Sequence, residues 1–390
     1  MVCGRENFVH RNFISLKARL NKIIGMSSNR SSFSDAISQA SEIVQKEWAS
    51  KVPGMSVAVA MNGTTIWSQA FGYADLEKQI PATTKTRFRI GSVSKPLTAA
   101  GLALLVERRQ LDLDAPIQKY IPDFPQKDGV ITSRLLAGHL TGIRNYRGTE
   151  AFSNKPFPDL RTGLKIFEND PLESSPGTKF SYCSYNWNAL GVVMEAAAKQ
   201  NFLDYIESNV IKPLGLTNTC PDLTDAADPQ RAQFYEIDLT GKFFVAPKVD
   251  LSFVWPAGGF LSTAEDLVCF GSAHLQPGFL KRESLQLLFT SQKTADGKLT
   301  NYGIGWFVQN VRNKILIFHH GGDSAGGTAV LLLMPNFGMA VAIASNGGQG
   351  ILKNLIRRGR ASKEAEHFVF TKQTIAVKIA KTFALFSAKT

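Results

Sequence analysis

The sequence predicts an α/β (α+β) protein, one antiparallel sheet flanked by helices with a mainly helical lobe inserted into it. Three observations carry this. Strand-like runs joined by tight turns lie near both ends of the chain, and helical periodicity opens and closes it. The long middle stretch is irregular, helix-rich and dense in Pro and Gly. Strands drawn from both ends imply one sheet built by both. The expected division is a basic leader over residues 1–33 and a folded unit over 34–390. Within that unit the sheet lobe takes 34–110 and 296–390, and the helical lobe takes 111–295.

Taken in order, the leader carries Arg5, Arg11, Lys17, Arg19 and Lys22 against Glu6 alone. That is the composition of a mitochondrial transit peptide, and a disordered leader ahead of Met26 fits equally. It lacks the apolar core of a secretory signal. Residues 34–48 form an amphipathic helix, with Ala36, Ile37, Ala40, Ile43, Val44 and Ala49 at helical spacing. Strands follow at 55–61 and 65–70, joined at Asn62-Gly63, the strongest short hairpin signal. A helix starts near Ser92 and ends near Arg109. Four more strands are expected at 303–309, 314–318, 328–334 and 339–344, with Asn336-Phe337-Gly338 turning between the last two. A helix over 373–385 closes the chain.

Charge and cysteines exclude several classes. Residues 1–30 carry six Lys/Arg against one acid and residues 351–390 nine against two, so the two ends account for the whole net charge of +12. A neutral body argues against a nucleic-acid-binding core. The cluster Arg357, Arg358, Arg360 and Lys363 reads as a solvated loop or a contact for anionic surfaces. No run reaches the roughly 18 apolar residues of a membrane span. Cys3, Cys183, Cys220 and Cys269 are too few and scattered for a disulfide framework and have no zinc spacing. The expected setting is soluble, cytoplasmic or mitochondrial.

The candidate chemistry begins at Gly91-Ser92-Val93-Ser94-Lys95-Pro96. Proline is tolerated only in the first turn of a helix, which fixes the helix start near Ser92. Ser92 then lies at the helix mouth, where unpaired N–H groups favour anions. Lys95, three residues on, shares its face. A serine hydroxyl needs an adjacent base, and lysine becomes one when burial lowers its pKa. Ser-x-x-Lys arises by chance roughly twice in such a chain, so the pair needs support.

Acyl transfer also needs a proton shuttle and oxyanion donors. Tyr182 lies on a connection after the turn Pro176-Gly177 and before a helix over 186–199, so it can face the cleft between lobes. Most tyrosines only pack, and this one alone would decide nothing. The other segment is Phe318-His319-His320-Gly321-Gly322-Asp323, expected to follow a strand. Its glycines allow close approach to a strand edge. Adjacent His319 and His320 point to opposite faces, so one enters the cleft while the other packs. For the same reason they cannot share a metal, and no carboxylate has ligand spacing.

Ser92-Val93-Ser94-Lys95, Tyr182-Cys183-Ser184 and His320-Gly321-Gly322 resemble, in order and spacing, the three motifs of the serine β-lactamase and penicillin-binding-protein superfamily. Within it the chain is most similar to class C-type β-lactamase-related hydrolases, especially the mitochondrial serine β-lactamase-like branch and its bacterial relatives. Residues 111–117 and 135–146 share in the likeness. It runs from about residue 35 to the end, apart from a basic insertion near 351–371.

The resemblance implies a β-lactamase/transpeptidase-like fold and a serine hydrolase that needs no cofactor and no metal. It implies Ser92 as nucleophile, Lys95 as its base and Tyr182 as the proton relay. Ser184, His320, Gly321 and Gly322 would bind substrate, and the N–H groups of Ser92 and Asp323 would hold the oxyanion. His139 would belong to a structural turn, and Cys183 reads as a buried small residue rather than an oxidation-sensitive thiol. Two departures matter. Ser184 stands where the family usually has asparagine, and His320 where true β-lactamases usually have lysine. Both weaken recognition of β-lactams and D-alanyl peptides and favour a small-molecule or peptide substrate of a peptidase, amidase or esterase, with β-lactamase activity weak. The resemblance leaves one alternative, a filament-forming homo-oligomer or scaffold on the same fold with residual hydrolysis.

Overall fold

The first hairpin sets the sheet. Strand β1 (Gly54–Met61) turns at Asn62 and Gly63 into β2 (Thr64–Asp75), followed by the short β3 (Ile80–Pro81). Both turn residues have positive φ (49° and 82°), as a two-residue hairpin of this twist requires. From the other end come β4 (Phe307–Val311), β5 (Ile315–Ser324), β6 (Gly327–Met334) and β7 (Met339–Ser345). The seven strands lie in the order β3-β2-β1-β7-β6-β5-β4, with antiparallel neighbours throughout. The computed structural model describes residues 33–223, 227–238, 240–311, 314–348 and 372–387. The leader up to residue 32, the cluster at Arg357, Arg358, Arg360 and Lys363, and the insertion at 351–371 lie outside the described residues.

Helices cover both faces. On the back lie α1 (Phe33–Glu47) and, last in the chain, a helix over Lys372–Ser387. Ala36, Ala40 and Val44 of the first meet Ile375, Ile379 and Phe383 of the last over Val57, Val59, Val330, Leu332, Val341 and Ile343. The alternate residues Ala58, Ala60, Leu331, Leu333, Ala340 and Ala342 face the front and join the main core. There run α2 (Ser94–Glu107), α3 (Ser184–Ala198), the single turn α4 (Trp255–Gly258) and α5 (Ala264–Ser272). The terminal helix is therefore α6. Helix α2 is buried nearly all round, as its unbroken run of small and apolar residues demands. Among the described residues no helix is long and apolar enough to cross a membrane.

Two strand expectations need correction. The run expected at 303–309 begins only at Phe307. Gly303 N–H instead bonds the Trp306 carbonyl at 2.8 Å, and Gly305 takes a φ of 79°. Ile304 and Trp306 alternate because a turn buries them, not because they lie in a strand. Conversely, β5 does not stop at Phe318 but runs through both histidines and both glycines to Ser324. β4 pairs with it only as far as Phe307 opposite His319. Beyond that point no strand among the described residues covers the outer edge of β5.

A small sheet fixes the entry to α2. Phe88 pairs with Ser262 and Arg89 with Leu261, tying the residues before Ser92 to those after α4. Arg89 Nε bonds buried Asp222 at 2.6 Å, and its NH1 donates to the Ala325 carbonyl at 2.7 Å, just past β5. A pair so buried gains little net stability, but removing either partner would leave an uncompensated buried charge.

Candidate active site

The site is assembled where the Ser92 turn meets the uncovered edge of β5. Residues Gly91–Val93 form one 3-10 turn that runs into α2, and Pro96 sits in the helix's first turn. Contact here is backbone to backbone. A Cβ on Gly322 would lie 1.8 Å from the Ile90 carbonyl oxygen and 2.9 Å from Ser92 N. One on Gly91, whose φ is +48°, would lie 2.8 Å from Asp323 N. Only glycine at both positions lets strand and turn touch. The Ser92 and Asp323 backbones thus become neighbours.

Lys95 is completely buried beneath Ser92. Its Nζ lies 2.9 Å from Ser92 Oγ, 2.8 Å from the Ala257 carbonyl oxygen of α4 and 3.5 Å from Ser184 Oγ. All three partners are neutral oxygens. Burial therefore dominates and lowers the amine pKa from 10.5 to about 7. Helix α4 is locked against α2 by Thr98 Oγ1, which donates to the Pro256 carbonyl at 2.8 Å.

Tyr182 covers the pair. Its ring centroid is 5.0 Å from Lys95 Nζ. Burial pushes the phenol well above its usual range, so it is protonated at neutral pH. His139 holds it there. The His139 carbonyl accepts from Ser181 N–H at 2.9 Å and its Nδ1 accepts from Cys183 N–H at 3.1 Å. Its ring lies 4.3 Å from that of Tyr182. His139 is buried packing, held at a φ of 59°. Cys183 is buried too, its Sγ 3.0 Å from the Arg144 carbonyl, and burial pushes the thiol up to about 12.

Ser184 heads α3. Its N–H donates to Asn145 Oδ1 at 3.2 Å. On β5, His320 reaches the site while His319 packs against Phe307, the rings 5.3 Å apart. The His320 ring is 6.1 Å from Tyr182. Its Nδ1 lies 2.8 Å from the Gly321 carbonyl oxygen and so carries the proton. Nε2 then accepts from the Tyr302 hydroxyl at 3.1 Å. Burial, then the neighbouring Lys95 charge, hold its pKa far below 6.5. His320 is thus a neutral ring with both nitrogens engaged.

Sequence reasoning missed Ala257, Tyr302 and Lys372. Ala257 acts through its carbonyl, which leaves no trace in side-chain pattern. Tyr302 borders the run misread as strand. Lys372 Nζ bonds Asp323 Oδ1 at 2.7 Å from the far end of the chain. Asn145 and Tyr146 lay inside a segment already singled out, without an assigned role.

Comparison with known proteins matches this architecture. The Beta-lactamase family model matches residues 40–363. The chain belongs to the Beta-lactamase family. It is accordingly a serine hydrolase of the β-lactamase-related type. Among its family relatives, the serine beta-lactamase-like protein LACTB, mitochondrial, from Mus musculus is 28% identical over 383 residues, covering 73% of this chain and 69% of that protein. The D-amino acid amidase from Ochrobactrum anthropi SV3 superposes with a TM-score of 0.72 at 21% identity, over 91% of this chain and 99% of that one. The octameric penicillin-binding protein homologue from Pyrococcus abyssi does so at 0.71 and 22%, over 85% and 78%.

Proposed function

We propose that this β-lactamase-family hydrolase cleaves an amide or ester through an acyl-enzyme on Ser92. Neutral Lys95 takes the Ser92 proton as Oγ attacks the substrate carbonyl. The Ser92 and Asp323 N–H groups hold the tetrahedral oxyanion. Tyr182 gives its proton to the leaving group as its bond to carbon breaks and takes in exchange the one Lys95 received from Ser92; water, losing a proton to the same groups, then releases the acid from the seryl ester and returns the proton to Ser92 Oγ. The observation that carries this is the buried Lys95 amine 2.9 Å from Ser92 Oγ, with a pKa near 7. That value makes it a competent base at neutral pH.

A neutral His320 and the short Ser184 side chain favour a substrate recognised without a fixed cation or side-chain amide at those two positions. That suits a peptidase, amidase or esterase better than a β-lactamase, and likeness to a D-amino acid amidase supports the amide reading. The two-lobe division, with the cleft between 111–295 and the rest, belongs to the same proposal. So does a cytoplasmic or mitochondrial location, the latter being the one in the mouse relative's name. Self-association is a second reading, favoured by the octameric assembly of the Pyrococcus abyssi homologue.

Labelling with a fluorophosphonate and a fluorescent penicillin tests the chemistry. Wild type should label and Ser92→Ala should not, while Lys95→Ala should slow acylation by about 10²–10⁴-fold. Wild type that reacts with neither reagent overturns Ser92 as nucleophile. Light scattering across concentrations tests self-association, and a strict monomer removes that reading.

A further inference from the structure

We propose that Lys372 is a positioning residue for the oxyanion site, gripping the Gly322–Asp323 peptide from behind the sheet so that its N–H is fixed and polarised. The inference rests on the reading of Asp323 N–H as an oxyanion donor.

The two faces of β5 differ at successive residues. A Cβ on Gly322 would run into Ile90, on the Ser92 side. One on Gly321 would meet Gln373 and Lys372 of α6 on the opposite side. From there Lys372 Nζ donates to the Gly322 carbonyl and pairs with Asp323 Oδ1 at 2.7 Å. In a trans peptide the carbonyl and the following N–H point in opposite directions. A cation on the Gly322 oxygen therefore draws electron density away from Asp323 N, and makes that N–H a stronger donor. It also holds the peptide plane before any charge develops, which is how oxyanion stabilisation avoids reorganisation.

Taking an ammonium out of water costs free energy, and on β5 the Gly322 carbonyl and the Asp323 carboxylate receive it. Lys372 is only 5% exposed. Docking α6 needs no charge, since Ile375, Ala376, Ile379 and Phe383 already bury its inner face. On β5 the ammonium acts on the Gly322–Asp323 segment through both its carbonyl and its carboxylate.

The full chain is assayed with p-nitrophenyl acetate, and with phenylboronic acid as a tetrahedral mimic. Lys372→Met should lower kcat at least about tenfold with KM within about twofold, and weaken the boronate by a similar factor. Lys372→Gln keeps a hydrogen bond without charge and carries the same expectation should the Met variant not fold. Lys372→Arg should restore most of kcat. A folded Met or Gln variant with kcat and boronate affinity within twofold of wild type overturns the inference. So does an equal loss in the Arg and Met variants with a lowered melting temperature, which marks a structural anchor. Wild type that neither labels with fluorophosphonate nor turns over the ester fails at the underlying reading instead.

Discussion

The two faces of the central sheet are built from the same strands and do opposite work. Behind it, Val57, Val59, Val330, Leu332, Val341 and Ile343 pack on α1 and α6 through aliphatic contact. In front, where β5 loses its outer neighbour, half-buried Tyr182 and buried Lys95, His139, His320 and Tyr302 crowd within a few ångströms. Burying hydrocarbon stabilises, whereas burying an ionisable amine without a carboxylate costs free energy. Alternation along a strand separates the two by one residue, so the chain can accumulate stability on one face and hold a destabilising, reactive arrangement on the other.

The sharpest way to break that contrast is at Lys95. Lys95→Met should reduce acylation about 10³-fold while raising the unfolding free energy by about 1–3 kcal/mol at pH 6. The sign follows from the depressed pKa. The folded amine titrates near 7 and the unfolded one near 10.5, so between these values the unfolded chain binds the extra proton. The penalty is complete below pH 7, shrinks as pH rises and vanishes above about 10.5, and the variant's advantage should narrow in the same window. Wild-type acylation should rise through pH 7 as Lys95 loses its proton. Denaturant melts from pH 6 to 10 and labelling rates check both. A variant less stable than wild type at pH 6 would mean that the contacts of Lys95 outweigh its burial.

Next in size is a cut on the back face. Leu332→Ala should cost about 2–5 kcal/mol of stability by leaving a cavity. Leu332 lies directly opposite His319 in the ladder, two residues from the first of the site strand's glycines, so the test is demanding. The folded fraction should keep kcat within about twofold on p-nitrophenyl acetate. A larger fall would show that packing behind the sheet tunes the chemistry in front.

What was legible in the sequence was what local spacing encodes. Asn62-Gly63 specified its hairpin, and Pro96 fixed the start of α2 and with it the approach of Lys95 to Ser92. Glycine in β5 misled because it has low strand propensity. It is there so that the Ile90 and Ser92 backbones can come close, a tertiary reason invisible locally. Ile304 and Trp306 misled in the opposite sense, since a buried turn mimics strand alternation. The Ala257 carbonyl and the Lys372 ammonium reach the site from 162 and 49 residues away along the chain from their bonded partners, and no window of sequence joins them.

The smallest expected effect lies at the rim of the back face. Lys378 of α6 reaches both carboxylate oxygens of Glu47 in α1 at 2.7 Å, with the two side chains 45% and 35% exposed. Geometry alone would make this pair look like the clasp between the terminal helices. Water screens it, and ordering two long side chains offsets most of the attraction, so exposed pairs contribute about 0–1 kcal/mol. Lys378→Ala should therefore shift stability by less than about 1 kcal/mol, and less still at high salt. If the loss instead approaches that of Leu332→Ala and survives at 1 M salt, the helices are held by charge rather than by the apolar contact of Ala40 and Val44 with Ile379 and Phe383.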